Sequence, residues 1–314
     1  MRLAGIAVTI AAILGSFFTP QQPAPEPVPA HVGPVFAADF PDPTVLRVGA
    51  TYYGYGTATA WQQPGRLFPI LESKDLVHWS YVADAFSAPP AWSIGSWWAP
   101  SVLHRGGAFY LYYGATARSG IHCLAVALAF SPTGPFADQG TIGCGDGSAS
   151  GYIDPAPFLD GKNAYLYYSV DGPRHSISVQ RLRPDLLGFE GPRRELFGVT
   201  QPWESGSDST VEAPWVIKRG SLFFLTYSGN DWRADYAVGV ATSKSPLGPF
   251  VKSLANPILQ TQAGLAGPGG GSVVDDPRGG LWFAYHAWTA GGRSLRVDRV
   301  RIRGAALTVV PTGT

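Results

Sequence analysis

Short apolar runs, each followed by a glycine-bearing turn and a second run rich in aromatics, recur along most of this chain. DPTVLRVGATYYGYG begins at Asp42, APSVLHRGGAFYLYYG at Ala99 and DPAPFLDGKNAYLYYS at Asp154. APWVIKRGSLFFLTYS from Ala213 and GGSVVDDPRGGLWFAYH from Gly270 complete the series. Runs of this length and composition, bounded by turn residues, predict β-hairpins. Sustained helical periodicity is absent beyond the N-terminus.

The first residues of the five copies are spaced by 57, 55, 59 and 57 residues. A period near that length with several strands per unit predicts a propeller or another repeat array. A second echo supports the period: SPTGPF at Ser131 returns as SPLGPF at Ser245, two units later. ESKDLVHW (Glu72 to Trp79) and RLRPDLLGFEG (Arg181 to Gly191) hold comparable places in other units and read as an outer strand with its turn. The expectation is an all-β, five-bladed β-propeller over residues 36–314, with every copy beginning at one mouth of a central channel. An open solenoid is the alternative, and would leave the five positions in a line that never converges.

Composition adds limits. With 314 residues the chain is long enough for a large core in one repeat domain. Net charge is +1, which points to no nucleic acid or other strongly charged partner. Charged residues are only 14% of the chain, while 39 Gly and 28 Pro suit a turn-rich β protein. Ten Trp is a high count; most are expected between blades, the rest on surfaces that suit the flat faces of sugar rings.

MRLAGIAVTIAAILGSFF, residues 1–18, reads as a signal peptide or N-terminal anchor. Residues 19–35 read as a Pro-rich, extended linker. The chain is therefore expected to be secreted or extracytoplasmic, with a membrane as partner only where the leader stays uncleaved. In an exported chain the two cysteines, Cys123 and Cys144, are expected as a disulfide within the second unit.

Three copies carry an acid at the same place. Asp42 and Asp154 open their copies, and Glu212 stands one residue before the fourth. An Asp before Pro is by itself a common turn former. That reading explains three acids in one register much less well. Gathered at one mouth among aromatics, they suit glycoside hydrolysis, which needs one protonated acid and one ionised base. A third carboxylate raises the acid's pKa by repulsion and helps orient it. A metal site is the rival, and the motifs lack the His that would favour one. Trp98, one residue before the second copy, faces the mouth by the same register and is assigned to sugar stacking. Phe40, two residues before Asp42, is placed on the pocket wall. Trp61 and Trp232 are weaker candidates on loops.

FPDPTV, WWAPSV, YIDPAPF, VEAPWV and GPGGGSVV occur in that order from Phe36 to the C-terminal region, and in this the chain resembles glycoside hydrolase family 43. That family comprises five-bladed arabinofuranosidases, arabinanases and xylosidases that invert the anomeric centre. The resemblance implies Asp42 as general base, Glu212 as general acid and Asp154 as the modulator of Glu212. It also places Arg293 near the pocket; His286, in WFAYHAW, reads as an inner-strand residue hydrogen-bonded in the channel, and both are taken as substrate-site residues. Many members carry His where this chain has Gly270, a departure that puts a calcium or water site in the channel in doubt. No cofactor is required by this reading and no metal ligand is assigned. The implied substrate is an oligo- or polysaccharide bearing α-L-arabinofuranosyl linkages, with β-xylosyl linkages as the near alternative. A non-catalytic glycan-binding propeller is the alternative from another class.

Overall fold

The computed structural model describes residues 33–310, apart from 60, 62–64 and 146–149. The expected leader and the Pro-rich segment as far as residue 32 lie outside the described residues. Five antiparallel sheets follow one another along the chain. The first is Thr44–Val48, Thr51–Tyr55, Pro69–Ser73 and Trp79–Asp84, in that spatial order. The second is Ser93–Arg105, Ala108–Ala117, His122–Ala129 and Ala137–Cys144, and the third Gly151–Asp160, Asn163–Asp171, Ser176–Leu182 and Phe189–Gly198. These two touch through one parallel pair, Gly151 with His122. The fourth is Val211–Arg219, Leu222–Gly229, Ala237–Ser243 and Val251–Lys252. The fifth is Ala266–Asp275, Leu281–Thr289 and Gly292–Arg303.

The opening strand of each sheet packs against the opening strand of the next, and the fifth packs against the first. That ring makes the molecule a five-bladed propeller and rules out the open solenoid. The ring is sealed inside the fifth blade. Phe36–Asp39 and Ala306–Val310 both pair with Gly292–Arg303, so the two ends of the described chain share one blade's outer edge.

Between blades the aromatic second runs supply most of the core. Tyr55, Phe68, Phe86 and Tyr113 are buried between the first and second blades, and Phe224, Phe283 and Tyr285 between the fourth and fifth. Each such ring removes on the order of 150–250 Å² from water, enough to hold wedge-shaped sheets together without helices. Cys123 and Cys144 pair as a disulfide across the third and fourth strands of the second blade.

One expectation needs correcting. Glu72 to Trp79 and Arg181 to Gly191 are not outer strands: each spans the end of a third strand and the turn leading into the fourth. The outer strands are polar and irregular, as at FEGPRRELFG, because one face meets solvent. Their periodicity is correspondingly weak.

The start of every copy has one backbone conformation. Asp42, Ala99, Asp154, Ala213 and Gly270 have φ of 50°, 45°, 53°, 51° and 55°. Four of these five are not glycine, and the left-handed region costs an L-residue about 1–2 kcal/mol. The strand register shifts at the same place in blades two to five, between Trp98 and Ser101, Ile153 and Ala156, Glu212 and Trp215, and Gly269 and Ser272. Each inner strand thus kinks on entering the channel.

The kink is held from the blade before it. The Ala99 N–H donates to the Thr57 hydroxyl at 2.8 Å, the Ala213 N–H to the Ser169 hydroxyl at 3.1 Å, and the Gly270 N–H to the Ser228 hydroxyl at 2.9 Å. The Asp42 N–H donates to His286 Nδ1 at 3.1 Å. Thr57, Ser169 and Ser228 each follow their own blade's kink by 15 residues, and His286 by 16. The matching place in the second blade is Gly114, which has no side chain to offer. At four of the five kinks, strain that would be costly alone is therefore held by an inter-blade hydrogen bond.

Candidate active site

The kink converts sequence register into convergence. Asp42 and Asp154 at kinks, and Trp98, Ile153 and Glu212 immediately before them, line one cavity of about 240 Å³. Trp232, Tyr236 and Arg293 complete the wall. The three acids come from three different blades and reach one pocket.

Asp42 accepts a hydrogen bond from the Thr57 hydroxyl at 2.6 Å, and Arg293 lies 3.7 Å from its Oδ2. Burial pushes this carboxyl up, but the Arg293 guanidinium leads the groups that outweigh it, and the Thr57 hydroxyl adds to them. The net position is far below the ordinary carboxylate value, so Asp42 stays ionised.

Asp154 and Glu212 go the other way. Burial is the largest influence on each, followed by repulsion from a neighbouring acid: Asp42 acts on Asp154, and Asp154 on Glu212. Both are held above the ordinary carboxylate range. Asp154 Oδ2 also accepts from the Ser169 hydroxyl and from the Ala213 N–H, each at 3.0 Å. Ala213 follows Glu212 directly, so Asp154 grips the backbone that carries Glu212.

Tyr236 is the residue that sequence reasoning missed. Its hydroxyl donates to Glu212 Oε1 at 2.6 Å, and its ring stacks on the His286 imidazole at 5.7 Å and 11°. Burial raises the phenol's pKa well above its ordinary value, so it remains a donor. A signal existed. Counting 23 residues on from Ala99, Ala213 and Gly270 gives His122, Tyr236 and Arg293, the entries to three third strands. Removing the Tyr236 hydroxyl should cost activity in a recognisable way. The hydroxyl stabilises ionised Glu212, so Tyr236→Phe raises the pKa of that acid. A reaction that needs protonated Glu212 then keeps its rate to higher pH. The expected result is an upward shift of the basic limb of the pH–kcat profile, with kcat at the optimum down about tenfold from lost orientation. A variant with lower kcat and an unmoved limb would show that Tyr236 only fills space.

The glycines of GPGGG make this packing feasible. A Cβ on Gly269 would lie 2.1 Å from the Tyr236 ring. One on Gly270 would lie 2.6 Å from both Asp42 Oδ1 and His286 Cε1. The imidazole of His286 therefore occupies the space that a side chain at 270 would need. Among the described residues no three His, Cys, Asp or Glu side chains converge for a metal.

Two expected pocket residues are elsewhere. Phe40 is fully buried, its ring pressed against the backbone at Gly54 and Gly56, so it offers no surface to a sugar. His286 is fully buried as well, on the second strand of its blade; it supports Asp42 from behind and does not line the pocket. Trp61 packs on Phe36 and Tyr81 beneath the Arg66 guanidinium, outside the pocket. Trp98 and Trp232 do reach it, with 38% and 39% of their surfaces exposed. Trp232 stacks on Trp288, and Arg293 sits 4.8 Å over the Trp232 ring while facing Asp42. A cation clamped on an aromatic face loses little further entropy when it holds a carboxylate.

A closed five-bladed propeller with three acids and exposed tryptophans at one mouth defines a class of glycan-facing propellers. The chain belongs to the glycosyl hydrolases family 43, whose model matches residues 32–305. A solved thermostable family-43 glycoside hydrolase superposes with a TM-score of 0.78 at 30% identity, covering 90% of this chain and 96% of that one. The non-reducing end alpha-L-arabinofuranosidase BoGH43B of Bacteroides ovatus is 29% identical over 72% of this chain and 41% of its own length. A putative beta-xylosidase of Xylanibacter ruminicola is 28% identical over 78% of this chain and 44% of its own. The chain thus spans less than half the length of these two curated relatives. Several other relatives are named extracellular.

Proposed function

We propose that this chain is an inverting glycosidase that removes terminal α-L-arabinofuranosyl units, with β-xylosyl units as the near alternative. The observation that carries the reading is one pocket in which carboxyls from three blades converge, with the Arg293 guanidinium beside Asp42 and the Tyr236 hydroxyl on Glu212, so that Asp42 is pushed down and Glu212 up. Opposed carboxyls are what inverting hydrolysis needs. Asp42 takes a proton from a water attacking the anomeric carbon, and Glu212 gives its proton to the departing oxygen. Burial holds the pKa of Glu212 up, repulsion from Asp154 adds to it, and Asp154 fixes the Glu212 backbone through Ala213.

Pocket shape supports removal of single sugars. A cavity of about 240 Å³ flanked by Trp98 and Trp232 accommodates an end and not a long run of chain. The Cys123–Cys144 disulfide and the apolar leader support an exported protein. A non-catalytic glycan binder would have no use for opposed protonation states.

The test is a panel of aryl α-L-arabinofuranoside, aryl β-xyloside and linear arabinan, with NMR of the first anomer released. Release of arabinose with inverted configuration, faster than of xylose, is the expected result. A folded protein that turns over none of these loses the hydrolase assignment, and a retained anomer overturns the roles of Asp42 and Glu212.

A further inference from the structure

A second and larger cavity, of about 550 Å³, opens at the same end of the propeller between the third and fourth blades. Its wall is made by the turn Gly172 to Ser176, by Gly198 to Thr200 where the outer strand of the third blade ends, and by Ser209 just before the fourth blade. These all lie at the end where the inner strands enter, because Gly151 pairs with Asp171 and Ser176 with Gly198.

The two cavities are neighbours. Ser169 donates to Asp154, and Val170, the next residue, lines the larger cavity. Gly172 is three residue steps from Ser169, roughly 10 Å at the rise of a strand. Asp171, between them, adds to the repulsion felt by both Asp154 and Glu212. An oligosaccharide with its terminal sugar among the acids has a short path to this cavity.

Its charge is unlike that of the acid pocket. Arg174 and Arg193 line it, against the single carboxylate of Glu195. Arg193 makes one long bond, 3.4 Å, to the Ser178 hydroxyl, and Arg174 has no side-chain partner among the described residues. His175 adds a buried Nδ1 with no hydrogen-bond partner, while its Nε2 lies 3.7 Å from Asp171 Oδ1. A guanidinium with no partner, beside one held by a single long bond, calls for an acceptor in this cavity, and a guanidinium fork matches a carboxylate best.

We infer that this cavity is a subsite for an acidic sugar, a uronate carried as a substituent on the part of the substrate that leaves. The inference rests on the hydrolase reading above and adds a preference to it: polymers bearing uronates near the cleaved unit are better substrates than their neutral counterparts.

The experiment compares kcat/KM for two matched arabinosylated xylo-oligosaccharides, one carrying a glucuronosyl substituent and one without it. The wild type is expected to favour the acidic oligosaccharide by roughly tenfold at low salt, the effect of one charge-assisted contact. That ratio should fall towards one in Arg174→Ala and in Arg193→Ala, and in the wild type as salt rises. A ratio of one in the wild type, or a preference that survives both substitutions, overturns the subsite. If neither oligosaccharide nor any aryl glycoside is cleaved, the hydrolase reading fails by itself. Calorimetry with the glucuronosyl oligosaccharide then tests the cavity: tighter binding than the neutral one, lost in Arg174→Ala, supports it, and equal binding overturns it.

Discussion

Replacing Glu212 with Gln is expected to lower kcat on arabino-oligosaccharides by about 10²–10⁴, the worth of a positioned general acid. The loss should depend on the leaving group. An aryl glycoside with an acidic phenol departs with little help and should keep most of its rate, whereas a sugar alkoxide cannot leave unprotonated. The Tyr236 hydroxyl can donate to a Gln oxygen as it does to Glu212 Oε1, so the pocket stays assembled. Stability should move in the opposite direction to activity. The folded pKa of Glu212 is raised, so its contribution to stability is complete below the ordinary Glu range and is lost as pH rises through the folded value. Gln carries no such loss. The variant should therefore melt higher than the wild type at pH 8, by a margin that shrinks towards pH 4. Equal loss of rate on every leaving group would remove Glu212 from the role of acid.

Asp42→Asn should cost about as much in kcat, roughly 10²–10⁴, but with a different signature. The attacking water is needed whatever departs, so good and poor leaving groups should suffer alike. Here the folded pKa is depressed: the carboxylate contributes stability above the ordinary Asp range and loses it as pH falls towards the folded value. Asn forfeits that contribution and leaves Arg293 facing no charge at Asp42, so this variant should melt lower than the wild type at pH 7. Opposite stability shifts from two inactive variants would be hard to reconcile with any scheme that makes the acids equivalent. A leaving-group dependence in Asp42→Asn like that of Glu212→Gln would contradict the division of labour.

The positions of Asp42, Asp154, Glu212 and Trp98 were legible because a repeat fixes register without fixing distance. A residue one place before the start of one copy stands where its counterpart stands in another, and all five starts share one kinked backbone. Phe40 shows where that reasoning stops. Lying outside the aligned segment, two residues before the kink, it turned inward against Gly54 and Gly56. His286 lies on a second strand and Tyr236 just before a third, where side chains reach the channel only if the inner strand leaves room. That room is made by the absence of atoms at Gly269 and Gly270, and a missing side chain signals little until its neighbours are seen. The same glycine at 270 read as a loss when compared with a family pattern. In space it is what allows His286 to back the Asp42 carboxylate.

Phe36–Asp39 is paired into the last blade, and Asp42 follows it by three residues. The Phe40 N–H donates to the Arg293 carbonyl at 2.8 Å, and Asp39 Oδ1 accepts from the Arg293 N–H at 2.8 Å. The base and the cation that keeps it ionised are thus brought face to face by the same strand that seals the ring. The base precedes its guanidinium partner by nearly the whole length of the propeller. Opening the seam would part Asp42 from Arg293 and leave the proposed base without its cation. Slippage at that seam would silence the enzyme while four blades remained intact, making catalytic rate a more sensitive gauge of ring closure than any bulk measure of sheet content.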